Sequence, residues 1–189
     1  MSRVHMIRHG RPASTWGEAD QDPGLDAVGQ AQARAVADIL LALPDGERPD
    51  RVVSSPLRRC RETAQPLADA LGMMVEIDPR VGEIPTPEAL SAEERPAWLR
   101  TAFEGAWSDI RGELDYVAWT REVARAVASY PGAAVFSHFV ALNAVVSVAT
   151  GQTQVAAFRP DHVSVTVFDL INDDLILIEN GREASTQVL

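Results

Sequence analysis

Apolar residues follow two different spacings along this chain, and these spacings predict helices and strands. Helical spacing begins after Asp26, a residue suited to capping a helix, and continues to Leu43, where Pro44-Asp45-Gly46 ends it. A second helical face follows Ser55-Pro56, which we expect to supply the N-cap and the first helical residue, and Gly72 ends it. Three more helices are predicted, over residues 90–106, 116–130 and 139–149.

Short apolar or β-branched runs between these helices predict strands. They cover residues 3–7, 51–54, 74–77, 133–137, 163–170 and 175–178. We expect Asn172-Asp173-Asp174 to form a hairpin turn between the last two strands. Strands that alternate with helices, followed by a closing hairpin, indicate an α/β three-layer sandwich, with a mostly parallel central sheet, an antiparallel edge and helices on both faces. At this length we expect residues 1–189 to form a single domain.

Charge and cysteine content narrow the classes of partner and compartment. The chain has 17 basic and 27 acidic residues, a net charge of −10, which argues against nucleic acid or an anionic membrane as the main partner. Every basic residue is an arginine, so Schiff-base and P-loop lysine chemistry are excluded. Cys60 is the single cysteine, and no apolar run approaches the length of a membrane span or of a signal-peptide core. We therefore expect a cytoplasmic protein.

Three segments that carry chemically useful side chains each follow a predicted strand. Arg8-His9-Gly10 follows the first strand, residues 54–59 follow the second, and Ser137-His138 follows the strand at 133–137. Ligands of open α/β sheets bind beyond the carboxyl ends of the strands. The fold is therefore expected to bring His9, Arg59 and His138 together.

These segments resemble the motifs of the histidine phosphatase superfamily, also called the phosphoglycerate mutase-like family. The matching segments are Arg8-His9-Gly10, LDAVGQAQA at 25–33, SPLRRCRETA at 55–64, VGEI at 81–84 and Ser137-His138. They occur in the family's order along almost the whole chain. The resemblance implies a phosphoglycerate mutase-like fold.

The resemblance also implies roles for five residues. His9 matches the nucleophile, whose imidazole nitrogen attacks phosphorus and forms a phosphohistidine. Arg8 and Arg59 match guanidinium clamps on the phosphate oxygens, and His138 matches a further phosphate contact. Glu83 matches the proton donor to the leaving oxygen, a role that requires a raised pKa. Nothing in this chemistry calls for a metal or a cofactor.

Some positions depart from the family pattern and place the substrate's identity in question. Arg11 stands where many relatives carry Glu, Thr15 where an asparagine often contacts phosphate, and Phe139 where a glycine is usual. Asn143 replaces an arginine five residues beyond His138. We treat Arg11, Thr15 and Phe139 as candidate substrate contacts, and Arg11 either binds a second anionic group or lies in solvent.

Other conspicuous residues have structural interpretations. His5 lies within the first strand and Cys60 on a helix, and both are expected to pack in the core. His162 lies near the expected rim of the site, and both a structural role and a ligand contact stay open. The aromatic residues within about 88–130 either pack in the core or form a helical lid over the substrate. They are Trp98, Phe103, Trp107 and Trp119.

The sequence thus predicts a metal-independent phosphomonoesterase that acts through His9 on a small phosphorylated metabolite. The alternatives are a phosphoglycerate mutase, a non-catalytic protein that binds a phosphorylated ligand, and a metallohydrolase. The mutase is disfavoured because the chain lacks obvious extra segments to enclose a bisphosphate. The binding protein is disfavoured because the motif residues are intact. The metallohydrolase is disfavoured because none of the 4 histidines pair at short spacing. The identity of the substrate and the existence of a homo-oligomer stay open.

Overall fold

A mixed β-sheet runs through the middle of the molecule. The computed structural model describes residues 2–14, 20 and 22–184. Its strands are β1 (Ser2–Arg8), β2 (Arg51–Ser54), β3 (Glu76–Ile77), β4 (Ala133–Ser137), β5 (Val165–Ile171) and β6 (Asp174–Glu179). Their order is β3-β2-β4-β1-β5-β6. The first four strands are parallel, β5 is antiparallel to β1, and β6 is antiparallel to β5. The predicted parallel sheet with an antiparallel edge is confirmed.

Helices cover both faces of this sheet. They are α1 (Ala27–Leu41), α2 (Arg58–Leu71), α3 (Arg95–Glu104), α4 (Tyr116–Ala128) and α5 (Phe139–Thr150). Val135 of β4 packs in the core that α4 and α5 line, whereas its neighbour Phe136 packs in the core that α1 and α2 line. Successive side chains of a strand point to opposite faces, so these are two separate layers. The three-layer sandwich is therefore confirmed.

The register of the parallel strands places the candidate site. Arg8 lies opposite Ser137, and Ser54 lies opposite Phe136, so β1, β2 and β4 end at nearly the same level. The residues that follow these strands therefore meet at one edge of the sheet.

Two helix starts illustrate how local and tertiary interactions compete. Asp26 caps α1 as predicted, since its carboxylate accepts a hydrogen bond from the Gly29 N–H at 2.7 Å. The predicted cap of α2 at Ser55-Pro56 is wrong, because α2 begins at Arg58 and has no side-chain cap. The Ser55 hydroxyl lies instead 2.8 Å from Nε2 of His138, so a tertiary contact has taken the place of the cap.

Several other predicted boundaries shift. The strand predicted at 74–77 is confined to β3, and the helix predicted at 90–106 is confined to α3, whose first turn contains Pro96. The strand predicted from 163 begins at Val165, because Val163 has a φ of 52°, outside the range of a strand. The predicted hairpin turn is confirmed, since Asn172 and Asp173 have φ values of 51° and 68°. Within the described ranges, no helix is long and apolar enough to cross a membrane.

The aromatic residues of the 88–130 segment lie at different depths. Trp107 and Trp119 are buried, and the Trp107 indole N–H donates to the Ser147 hydroxyl at 2.8 Å. Phe103 of α3 is partly buried, with its ring 5.2 Å from that of Phe139. Helix α4 is thus a core helix, while α3 lies beside the first residue of α5. The role of this segment as a lid stays a prediction.

Candidate active site

His9 lies in the turn after β1, and one of its ring nitrogens forms a hydrogen bond with the backbone. Its Nδ1 is 2.8 Å from the Gly10 carbonyl oxygen, which can only accept a hydrogen bond, so Nδ1 carries the proton. Nε2 is then unprotonated. Burial, together with His138 and the cations Arg8 and Arg59, lowers the pKa of His9 well below its ordinary value. The ring is therefore neutral, with a nucleophilic lone pair on Nε2.

Close packing of two glycines shapes this turn. A Cβ added to Gly29 of α1 would overlap the carbonyl oxygen of Arg11, and one added to Gly10 would lie 2.9 Å from the Gly29 carbonyl oxygen. Helix α1 can therefore approach residues 9–11 only because both positions lack side chains. The Gly10 N–H donates to the Thr63 hydroxyl at 2.9 Å, which links the turn to α2 as well.

Arg59 lies on the first turn of α2 and connects the two buried histidines. Its Nε–H donates to Nε2 of His9 at 3.3 Å, and its Nη2 lies 3.3 Å from Nδ1 of His138. The guanidinium thus lies against Nε2 of His9. A phosphoryl group bound to this nitrogen would lie beside the guanidinium, with its oxygens within reach of the guanidinium N–H groups.

His138 precedes α5 and is fully buried. Because Arg59 donates to its Nδ1, Nε2 carries the proton and donates to the Ser55 hydroxyl at 2.8 Å. Cys60 is buried, as predicted. Its sulfur also contacts the site, since it lies 3.4 Å from the same Nε2. Burial and then Arg59 lower the pKa of His138 well below its ordinary value.

Arg8 at the end of β1 supplies a second buried guanidinium. Its Nη1 donates to the Pro160 carbonyl at 2.9 Å, and its guanidinium carbon lies 5.5 Å from the centre of the Phe139 ring. Burial lowers the pKa of Arg8 to about 10, which leaves it charged at neutral pH. Within the described part of the chain, its buried Nε has no acceptor. An oxyanion at this position would supply one.

Glu83 faces both His138 and Arg59. Its Oε2 lies 3.4 Å from Nδ1 of His138 and 3.6 Å from Nη2 of Arg59. Burial raises the pKa of this carboxyl, although the nearby Arg59 and Arg95 oppose the rise. The protonated form that a general acid needs is therefore favoured by burial.

Side-chain hydrogen bonds anchor the turn that precedes Glu83. The Ser137 hydroxyl donates to the Val81 carbonyl at 2.7 Å, at the end of a 3₁₀ turn, Pro79–Val81. The side chain of Asp78 caps this turn and accepts a hydrogen bond from the Tyr130 hydroxyl at 2.8 Å. These contacts hold the carboxyl of Glu83 beside the histidines.

Comparison with known proteins shows the family of this chain. Residues 4–179 match the sequence model of the histidine phosphatase superfamily (branch 1). The chain belongs to the histidine phosphatase superfamily. Over 143 residues it is 34% identical to glucosyl-3-phosphoglycerate phosphatase of Mycobacterium tuberculosis, an alignment that covers 68% of this chain and 62% of that protein. The chain thus spans about three-fifths of this relative's length.

Two further proteins extend the comparison. A probable phosphoglycerate mutase GpmB of Yersinia enterocolitica is 34% identical over 110 residues, which cover 57% of this chain and 48% of that protein. A solved structure of phosphoserine phosphatase from Entamoeba histolytica, in complex with 3-phosphoglyceric acid, superposes with a TM-score of 0.74 at 19% identity and covers 98% of each chain. The structural match shows that the fold is shared.

The fold brings some of the predicted site residues together and leaves others apart. Arg8, His9, Arg59, Glu83 and His138 converge, as the distances above show. In the described part of the chain, no group of three or more His, Cys, Asp or Glu residues is arranged to hold a metal ion.

The three residues predicted as candidate substrate contacts differ in position and surroundings. Arg11 is half exposed and its Nε donates to Asp26 at 2.6 Å, so it is occupied by an ion pair beside α1. Thr15 lies outside the described residues. Phe139 is buried beneath Arg8, where its ring contacts the Arg8 guanidinium. Asn143 is also buried, and its side chain bridges the Phe139 carbonyl and the Phe158 N–H.

The structure adds site residues to which the sequence assigned no definite role. His162 donates to the carbonyl of His9 at 3.1 Å, and Thr63 accepts from Gly10. Ser55 contacts His138, and Nη2 of Arg95 lies 3.5 Å from the carbonyl oxygen of Ile84, next to Glu83. Thr63 and Ser55 lie within the family motif, which is a signal for their involvement. Arg95 is one of many arginines on helices, and no sequence pattern separates it from the others.

Proposed function

We propose that this chain is a metal-independent phosphomonoesterase that hydrolyses a small phosphorylated metabolite through a phosphohistidine on His9. The main support is the unprotonated Nε2 of His9. The hydrogen bond from Nδ1 to the Gly10 carbonyl leaves Nε2 without a proton, and Nε of Arg59 lies 3.3 Å from it. Membership of the superfamily and a phosphatase relative support the proposal. Among the described residues, no acceptor pairs with the buried Nε of Arg8, and this supports an anionic ligand.

The first chemical step transfers the phosphoryl group to the enzyme. The substrate phosphate binds between Arg8, Arg59 and His138, and the guanidinium N–H groups of the two arginines donate to its oxygens. Nε2 of His9 attacks phosphorus, and the bond from phosphorus to the substrate oxygen breaks. Glu83 gives its proton to that oxygen, so a neutral alcohol leaves. The guanidinium groups stabilise the charge on the transferring oxygens.

The second step returns the site to its starting state. Glu83, now a carboxylate, takes a proton from a water molecule as this water attacks the phosphorus of the phosphohistidine. The P–N bond breaks and inorganic phosphate leaves. His9 recovers its lone pair and Glu83 its proton, so each turnover consumes one water.

Transfer of the phosphoryl group to a second alcohol, as in a phosphoglycerate mutase, is the second candidate function. The relative of Yersinia enterocolitica, which is named a probable mutase, favours it. The chemistry of the first step is the same, and the acceptor in the second step differs. Mutase turnover that exceeds the hydrolysis of the same phosphoglycerate would favour this candidate over ours.

The proposal also includes compartment and partners. We place the reaction in the cytoplasm, since the single cysteine cannot form an internal disulfide. With a net charge of −10, the chain is not expected to bind nucleic acid or an anionic membrane. The expected partner is a phosphorylated small molecule.

The test is phosphate release from p-nitrophenyl phosphate in EDTA, with wild type and His9→Ala in parallel. We expect turnover by the wild type and none by the variant. Turnover that survives in His9→Ala would contradict the assignment of the nucleophile. A panel of phosphorylated metabolites, including phosphoglycerates and phosphoserine, then defines the substrate. Strong binding of these compounds without turnover would favour a binding protein.

A further inference from the structure

The loop of residues 160–164, between α5 and β5, lies directly against the nucleophile's turn. We infer that His162 in this loop is a positioning residue: it holds the peptide between His9 and Gly10 and thereby keeps the proton of His9 on Nδ1. Its effect on the reaction rate rests on the proposed function, whereas its effect on the His9 ring does not. The superfamily motifs quoted above do not include this histidine.

Four hydrogen bonds join this loop to Arg8 and His9. The Arg8 N–H donates to the Ser164 carbonyl at 3.3 Å, and the Val163 N–H donates to the Arg8 carbonyl at 3.0 Å. The Arg8 side chain donates to the Pro160 carbonyl at 2.9 Å. Nδ1 of His162 donates to the His9 carbonyl at 3.1 Å, and the two rings lie 5.7 Å apart. The loop thus contacts the nucleophile's backbone and one phosphate clamp together.

The peptide between His9 and Gly10 is held at both of its polar ends. Its carbonyl accepts from His162, and its N–H donates to the Thr63 hydroxyl at 2.9 Å. Fixing this plane limits where the next carbonyl, that of Gly10, can lie. The Gly10 carbonyl is the acceptor for Nδ1 of His9. Two hydrogen bonds, joined through this peptide and Gly10, therefore connect the His162 ring with Nδ1 of His9.

This protonation pattern decides reactivity. A neutral imidazole carries its proton on either nitrogen, and the hydrogen bonds of one nitrogen select the form. With the proton on Nε2, His9 has no lone pair in front of Arg59 and cannot attack phosphorus. Loss of the acceptor for Nδ1 therefore reduces the fraction of molecules in which His9 has its lone pair on Nε2, and it also misaligns the His9 ring.

The loop is itself anchored, which lets His162 act as a support. Asp161 forms an ion pair with Arg182 at 2.9 Å, and its backbone N–H donates to the Arg182 carbonyl at 2.8 Å. Its carboxylate also accepts the backbone N–H of His162 at 2.8 Å. Val163, the next residue, has a φ of 52°, which a β-branched residue rarely adopts. Such strain persists where the surroundings enforce it, and here the enforcing contacts are those to Arg8 and His9.

The test compares His162→Leu with His162→Asn. Leucine removes the donor, whereas the asparagine amide nitrogen is as many bonds from Cα as Nδ1 of histidine and restores a donor. His5→Asn is the matched control, because burial lowers the pKa of both His5 and His162 to about 4 but His5 contacts neither His9 nor its turn. For each protein, kcat and KM are measured with p-nitrophenyl phosphate. The ¹⁵N chemical shifts of the His9 ring nitrogens, assigned by comparison with His9→Ala, report the tautomer.

We expect His162→Leu to lower kcat roughly 10- to 100-fold with a smaller change in KM, and to mix the tautomers of His9. His162→Asn should keep most of the activity and the Nδ1-protonated ring. His5→Asn should keep the activity and the Nδ1-protonated ring of His9, whatever its effect on stability. If the leucine variant does not fold, His162→Gln, whose amide lies one bond further from Cα, replaces it and should resemble the leucine variant.

Two results would overturn the inference. One is a folded His162→Leu, or its replacement, with wild-type kcat and an Nδ1-protonated His9. The other is His162→Asn with a loss as large as that of leucine, since the ring and not the Nδ1 donor would then matter. If the wild type hydrolyses no phosphate ester, the proposed function fails, and the ¹⁵N shifts still decide the role of His162.

Discussion

Glu83 is the residue at which burial and charge oppose each other most directly in this site. Its carboxyl contacts one guanidinium and one neutral imidazole, and burial keeps its pKa raised despite Arg59. A proton held here is useful only when the leaving oxygen is a poor leaving group. That dependence separates the proposed acid role from a purely structural one.

We expect Glu83→Gln to lower kcat/KM for an alkyl phosphate by about 10²- to 10⁴-fold, the usual contribution of a general acid. With p-nitrophenyl phosphate the loss in kcat/KM should be much smaller, because p-nitrophenolate leaves without a proton. The variant should also release a burst of p-nitrophenol, since the water that hydrolyses the phosphohistidine has lost its base. Equal losses with both substrates would assign Glu83 a structural role.

His5 gives a prediction about stability and not catalysis. Burial, and then Arg3, lowers its pKa from 6.5 to about 4. The unfolded chain therefore binds this proton at a higher pH than the folded chain. The stability that a neutral His5 contributes is complete above about pH 6.5 and is lost as the pH falls towards 4.

The size of this effect follows from linkage. Between pH 7.5 and 5.0, His5 alone should reduce the free energy of unfolding by about 2 kcal/mol. Urea denaturation of wild type and His5→Asn at both pH values measures it, and the other histidines cancel in the comparison. An identical pH dependence in the two proteins would show that His5 does not titrate in this way.

The close contact between helix α1 and the turn at residues 9–11 leads to a prediction about Gly29. Helix propensity alone predicts that Gly29→Ala stabilises α1 by about 1 kcal/mol. The overlap of the new Cβ with the Arg11 carbonyl predicts the opposite sign. We expect destabilisation of about 1–3 kcal/mol, the usual effect of overpacking, with loss of phosphatase activity as residues 9–11 move.

Thermal and urea unfolding of Gly29→Ala measure this change. Gln30→Ala, at an exposed position of the same helix, is the control and should change stability little. A stabilised and active Gly29→Ala would mean that α1 can retreat from the turn at little cost.

Elements whose interactions are local were predictable from sequence. The strands at 51–54 and 133–137 and the cap at Asp26 match the structure because apolar runs and capping chemistry act over a few residues. The start of α2 was missed because Ser55 binds His138, which is distant in sequence. The five motif residues of the site were predictable through the family pattern. His162 and Arg95 were not, since their contacts depend on where loops and helices lie in space.

The molecule as a whole carries excess negative charge around a positive site. Two buried guanidinium groups, those of Arg8 and Arg59, lie close enough to His9 to lower its pKa, in a chain of net charge −10. We expect inorganic phosphate to raise the Tm of the wild type, by the equivalent of about 2.7 kcal/mol at 100 times its Kd. Arg8→Met should largely lose this shift, because it removes the guanidinium whose Nε has no acceptor among the described residues. Equal shifts in both proteins would place phosphate elsewhere.

The order of the strands has a consequence for how the protein is made. Strand β1, which ends directly before His9, pairs with β4 and β5, and its residue His5 lies opposite Ala134 and Val167. During synthesis, β1 emerges before both of its partners and waits for them until β5 has been made. Contacts so distant in sequence form slowly and late. Under the proposed function, the first turnover of a newly made molecule therefore marks the closure of its central sheet, and the appearance of activity times the end of folding.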